Sequence, residues 1–260
     1  MVATAKSQLK SLYRLYFQRP KASIEFFRPV WLFLNKKPRE LYIENPPELN
    51  PLQKKIVDEV KRDGMSITHM DELFPDEPGI YQDMLSRIDS LTANAVQDPK
   101  KQHFKILWNS RFFHLDPANG FVRFALSSRV VDIANEYFGM WTRLLLSNGY
   151  IADPVPRESA VNTQNWHRDL HDIQLLSVFL YLTDVNSEAD GPLWFIKGSH
   201  ALGRLNSLFP QRKPHSTRKF PPGEVVDAQL SEGDKVMCLG RRGTLIFSDA
   251  TAIHRGGHCT

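Results

Sequence analysis

Three side chains in this sequence have the types and spacing of a metal site. His167 and Asp169 stand on either side of Arg168 in the run NWHRDLHD, and His254 lies far downstream in AIHRGG. Residues two apart on a strand point to the same face. An extended segment here would project imidazole and carboxylate together, about 6–7 Å apart along the chain, with Arg168 turned away. Two histidines and one carboxylate suit a non-haem Fe(II) that keeps positions open for other ligands. Zinc accepts the same donors, so the ligand types alone do not choose the metal. A His-x-Asp pair can also be a simple hydrogen bond. What lifts this one is its setting: it opens one strand, and His254 ends another, GTLIFSDATAIH.

The elements that must hold these groups change texture along the chain. From residue 160 short apolar runs alternate with Gly and Pro. VNTQNWHRDLHD alternates as a strand, IQLLSVFLYLTDV reads as a strand buried on much of both faces, and LWFIKGSHALG as a strand into a loop. EVVDAQL and GDKVMCLG are short strands, and GTLIFSDATAIHRGG is strand, turn, strand. Residues 203–230 form a long polar connection. This pattern predicts an antiparallel barrel or sandwich.

Helices precede it. Asn50 caps a helix with Pro51 at its first position, and Gly64 ends it, with Leu52, Ile56, Val57 and Val60 on one face. MSITHMDELFP is a strand into a turn. Residues 79–97 carry a stripe of Met84, Leu85, Ile88 and Leu91, and residues 103–116 are aromatic and β-prone. FVRFALSSRVVDIANEYFG reads as one helix ending at Gly139, and TRLLLSNGYIADP as a strand with a turn at Asn148-Gly149. Residues 1–45 form a basic, aromatic extension of helical spacing, broken by Pro20, Pro29 and Pro38. Contact of this extension with a membrane surface is the weaker reading; helices packed outside the domain are the stronger. The chain therefore divides into 1–45, a helical extension, and 46–260, one domain with a helical lead-in (46–140) and a β core (141–260).

The bulk numbers fit a globular protein. The 260 residues are 42% hydrophobic and 24% charged, with a net charge of +4. The positive excess is interleaved with acids, which argues against nucleic-acid binding. Cys238 and Cys259 have neither disulfide-scaffold nor metal-ligand spacing, so a reducing, cytoplasmic setting is expected. No secretory signal and no membrane-spanning run is found.

Residues 164–200 and 243–257 resemble the phytanoyl-CoA dioxygenase family of Fe(II)/2-oxoglutarate-dependent oxygenases. The resemblance rests on Gln164 to Trp166 leading into HRDLH, the apolar strand ending LYLTDV, the turn and strand DGPLWFIKGSH, and the distal GTLIFSDATAIHRGG. It implies a mainly β, α+β fold with a double-stranded β-helix (jelly-roll, cupin-like) core, and Fe(II) held by His167, Asp169 and His254. It implies 2-oxoglutarate and O2 as co-substrates, ascorbate as a reductant, and hydroxylation of a small or medium organic molecule with release of succinate and CO2. Asp169 separates this chain from related halogenases, which have a small residue there. Gln164 and Phe179 are candidates to meet 2-oxoglutarate. The family also places an arginine about ten residues past the distal histidine, suited to a bidentate grip on the far carboxylate. Here Thr260 is the last residue and Arg255 is too close to His254. A chain cut short, lacking its last core strand and leaving an open β edge, is the expectation. A jelly-roll binding module without turnover and a cupin-type enzyme using zinc or manganese are the alternatives. Oligomeric state is unread.

Other residues have plainer explanations. His171 shares the face of His167 and is read as a wall histidine. Trp166 and Trp194 either line the cavity or fill the barrel. Ser199 and His200 belong to a loop, not to a nucleophilic pair, and His258 is incidental. Arg212, Lys213, Arg218 and Lys219 are solvated loop residues.

Overall fold

The computed structural model describes residues 24–98, 104–108, 116–154, 162–169, 172–206 and 228–260. Seven helices occur among them: α1 (Ile24–Leu34), α2 (Lys36–Glu44), α3 (Pro51–Asp63), α4 (Met70–Leu73), α5 (Pro78–Ala93), α6 (Gly120–Leu126) and α7 (Ser128–Phe138). The strands are β1 (Met65–His69), β2 (Val96–Gln97), β3 (Phe104–Trp108), β4 (Gly149–Ala152), β5 (Leu176–Leu180), β6 (Leu193–Ile196), β7 (Lys235–Cys238), β8 (Thr244–Asp249) and β9 (His254–Gly256).

Helix α3 shows how local chemistry sets an element. The Asn50 side chain accepts from the Gln53 N–H, and the Gln53 side chain accepts from the Asn50 N–H, a reciprocal cap. Pro51 follows, where a missing N–H costs nothing. Gly64 then ends the helix at φ 83°, a conformation that suits glycine. A side chain there would also meet the His200 ring at 2.8 Å. The apolar face of α3, Ile56, Val57 and Val60, is buried.

All strand pairs are antiparallel and form three sheets, ordered β1-β8-β5, β7-β6-β9 and β2-β3-β4. Leu245 and Phe247 of β8 pack with α3 to α7 residues such as Ile56, Met84, Phe124 and Ile133. Ile246, on the opposite face of β8, packs with Met65, Leu193, Phe195 and Cys238. The order of layers is therefore helices, then β1-β8-β5, then β7-β6-β9. A third cluster, Trp166, Ile196 and Ile253, lies apart from both. Each fully buried side chain of this size contributes on the order of 1.5–3 kcal/mol, so β8, buried along its whole length, is the spine of the fold.

Of the antiparallel barrel or sandwich expected, the described strands form a sandwich-like pair of sheets and no closed barrel. Several local expectations are corrected. The helix expected from Phe121 to Phe138 breaks at Ser127, whose extended backbone (φ −65°, ψ 146°) starts α7; Gly139 ends it as expected, at φ 61°. Gly149 is the first residue of β4, not a turn, because the Trp108 ring fills the place of its missing side chain. MSITHMDELF ends in the short helix α4, not in a simple turn. Of EVVDAQL, residues 228–230 are not strand, and the rest lies outside the described residues. β5 is not buried on both faces: Leu176, Val178 and Leu180 pack against the helical cluster, whereas Phe179 is 38% exposed. β5 is also an edge of its sheet among the described residues. Of the 1–45 extension, α1 and α2 are helical as expected, tied on by Trp31 Nε1 donating to Asp172 (2.8 Å) and by the Tyr42 hydroxyl donating to Glu136; residues 1–23 lie outside the described residues. No described helix is long and apolar enough to cross a membrane, and Cys238 and Cys259 are unlinked.

Candidate metal centre

His167, Asp169 and His254 come together as their types and spacing suggest, although not on two regular strands. Residues 162–164 form a 3-10 turn, and His167 makes only an isolated antiparallel bridge with His254. The two residues exchange backbone hydrogen bonds of 2.9 and 3.0 Å. The segment departs from a strand because the His167 ring bonds back to the carbonyl of Asn165, two residues earlier. That bridge sets the imidazoles beside each other, ring centroids 4.3 Å apart. His167 Nε2 and His254 Nε2 each lie 3.9 Å from an Asp169 carboxylate oxygen. One donor atom from each of the three residues falls within 4.8 Å of the others.

The tautomers follow from the partners. His167 Nδ1 faces the Asn165 carbonyl at 2.8 Å, and His254 Nδ1 faces the Ala252 carbonyl at 2.9 Å. A carbonyl only accepts, so each Nδ1 donates. In that tautomer each ring presents its Nε2 lone pair toward the other and toward Asp169, the arrangement of metal-bound histidine. Burial pushes His254 down to about 4, so it is neutral at ordinary pH. A divalent cation fits this donor set: two aimed lone pairs and one carboxylate.

The flanking arginines are occupied elsewhere. Arg168 turns away from the centre, as its position between the ligands predicts, and its guanidinium donates to the carbonyls of Ser199 and Thr251. Burial lowers it to about 10. The Arg255 guanidinium lies 4.7 Å from the Trp166 ring centroid and 5.3 Å from that of Trp194, a double cation–π contact. That contact gives both tryptophans a role the sequence did not suggest.

The remaining candidates separate. Gln164 is buried, in the 3-10 turn. Phe179 pairs in register with Ile246, so it faces the space between the two sheets. Ser199 is structural, as expected: its hydroxyl donates to the Ile196 carbonyl and accepts from the Ile253 N–H. His200 meets the Lys61 carbonyl. His171 and the basic residues Arg212, Lys213, Arg218 and Lys219 lie outside the described residues. Sequence reading missed Asp249 and Tyr137. Asp249, buried at the end of β8, accepts from the Tyr137 hydroxyl (2.6 Å) and from the Thr251 N–H (2.8 Å). The one local signal was the Asp-x-Thr step after β8, which permits an Asx-turn.

The family model for phytanoyl-CoA dioxygenase (PhyH) matches residues 59–259. No curated protein matches the chain. Among solved structures, the non-heme alpha ketoglutarate dependent epimerase SnoN from nogalamycin biosynthesis superposes with a TM-score of 0.52 at 16% identity, covering 80% of this chain and 78% of that one. A second SnoN structure, with Fe3+, alpha ketoglutarate and nogalamycin RO, gives 0.51 at 15% identity over the same shares. EctD from S. alaskensis with 2-oxoglutarate and 5-hydroxyectoine gives 0.46 at 17% identity, covering 82% of this chain and 74% of that one.

Proposed function

The chain belongs to the phytanoyl-CoA dioxygenase family, and from that premise we propose that it is an Fe(II)/2-oxoglutarate-dependent dioxygenase hydroxylating a C–H bond of a small organic molecule. The observation that carries this reading is the convergence of His167 Nε2, His254 Nε2 and the Asp169 carboxylate, with both Nδ1 atoms committed to carbonyls. The two facing sheets are, in this reading, the walls of a jelly-roll.

His167, Asp169 and His254 would hold Fe(II). When bound with 2-oxoglutarate and O2, the metal supplies the oxidising power, with release of succinate and CO2. The chain's own residues do the rest. Asp169 supplies the negative charge that matches the cation and occupies a position that a halide would otherwise need, which favours hydroxylation over halogenation. The Asn165 and Ala252 carbonyls keep the Nε2 lone pairs on the metal side. Phe179, which faces the space between the sheets, and the buried Gln164, just ahead of His167, would meet 2-oxoglutarate. SnoN is an epimerase, so the shared fold does not set the oxidative outcome, and Asp169 speaks only against halogenation.

Succinate formation tests the assignment. With Fe(II), ascorbate, O2 and 2-oxoglutarate, the protein should release succinate even without its substrate, and His167→Ala or Asp169→Ala should reduce this at least about a hundredfold, more than loss of an outer-shell partner. Unchanged succinate from His167→Ala would sink the site. Active protein holding stoichiometric zinc in place of iron would overturn the choice of metal.

A further inference from the structure

The proposed ligands share more than a metal. Two of them, Asp169 and His254, are tied to one five-residue turn, 249–253, between β8 and β9. The Ala250 carbonyl accepts the Asp169 N–H at 2.9 Å. The Thr251 carbonyl accepts the Arg168 guanidinium, which also reaches the Ser199 carbonyl. The Ala252 carbonyl accepts the His254 ring N–H. The Ile253 N–H donates to the Ser199 hydroxyl at 2.8 Å. At the head of the turn, Asp249 folds it through the Thr251 N–H and anchors it to α7 through the Tyr137 hydroxyl.

Two opposite charges thus sit behind the centre. Arg168 is 6% exposed and Asp249 3% exposed. The polar contacts of both side chains run to the backbone of other segments and to Tyr137. Buried charges of this kind are costly to leave uncompensated, and such networks fix one arrangement of the groups they bind. A helix, a turn and the loop carrying His167 and Asp169 are locked through them.

We infer that Arg168 and Asp249, with Tyr137, are positioning residues that set the spacing of Asp169 and His254 through the 249–253 turn. This rests on the reading of His167, Asp169 and His254 as metal ligands. Arg168 ties the carbonyls of two separate segments through one nitrogen, Nη1, at the far end of a planar group, a place that the shorter lysine side chain does not reach. Asp249 holds the turn's start against α7, so the Ala250 and Ala252 carbonyls keep their distance from Asp169 and the His254 ring.

The test is Co(II) binding to the full chain, followed by ligand-field absorption, beside urea unfolding of the metal-free protein. Arg168→Met and Asp249→Asn should each weaken Co(II) at least about tenfold, within the range for outer-shell partners, and should change the ligand-field spectrum of the saturated protein. Arg168→Lys should recover folding stability but only part of the affinity. Tyr137→Phe, which removes a single hydroxyl, should weaken Co(II) about threefold and keeps the test alive if the charge variants do not fold. The control is Asp83→Asn, at a carboxylate that accepts the Gly120 N–H far from the centre; it should lower stability without moving Co(II) affinity. Wild-type affinity and spectrum in Tyr137→Phe and Arg168→Lys would overturn the inference. If His167→Ala also binds Co(II) as wild type does, the metal assignment fails instead.

Discussion

The metal centre and strand β5 are built differently. Around His167, Asp169 and His254 fixed partners hold the ring Nδ1 atoms, the Arg168 Nη1, the Ser199 hydroxyl and the Asp249 carboxylate. Along β5 the opposite holds. That strand is a sheet edge among the described residues, and Phe179, which faces inward, is 38% exposed. Trp141, Leu144, Leu145 and Leu146 are also exposed in the segment leading to β4. The contrast teaches where the fold places its constraints. A metal needs donor atoms held to a few tenths of an ångström, whereas an organic ligand needs an opening and an apolar wall.

The strongest way to break this comparison is to remove a ligand. Asp169→Ala should reduce divalent-metal affinity by more than about a hundredfold, beyond the range for outer-shell groups, while urea unfolding of the metal-free protein changes little, since the Asp169 side chain is partly exposed. Calorimetric titration with Co(II) reads the first quantity. Phe247→Ala, in the fully buried spine, should cost about 3–5 kcal/mol, read by urea denaturation. Its counterpart at the open edge, Phe179→Ala, should cost only about 1 kcal/mol and should instead raise the KM for 2-oxoglutarate. Equal stability losses at the two positions would erase the distinction between spine and edge.

Much of this was legible in the sequence, for reasons that particular residues make plain. The cap at Asn50, Pro51 and Gly64 is local chemistry, and α3 runs between them as those residues require. The ligand set could be read because His167 and Asp169 are neighbours and because His254 lies near the end of a second β-prone run, GTLIFSDATAIH. The irregular backbone at 162–169 was not legible: alternation favours a strand, and only the tertiary contact with His254 shows that a single bridge suffices. The break at Ser127 was hidden inside a continuous helical period. Asp249 was hidden for another reason. Its partner Tyr137 belongs to a helix whose pattern shows only an apolar stripe, so nothing local marks the pair. The edge position of β5 among the described residues could not be separated from a doubly buried strand by its apolar composition.

Acid sharpens the comparison at smaller amplitude. In the folded metal-free protein His254 takes a proton only near pH 4, whereas in the unfolded chain it does so near about 6.5. Between these values the unfolded state binds more protons. Stability from this group is therefore complete above about pH 6.5 and declines as pH falls toward 4, at up to about 1 kcal/mol per pH unit. Urea unfolding at a series of pH values should show this slope in the wild type and a flatter one in His254→Gln. The same slope in both would place the acid sensitivity elsewhere.

The most direct measurement is an anaerobic Fe(II) titration of the purified metal-free chain. The account predicts one equivalent bound by the wild type, a visible charge-transfer band when 2-oxoglutarate is added, and loss of both in His254→Ala. One equivalent of Fe(II) held by His254→Ala with the same band would contradict it.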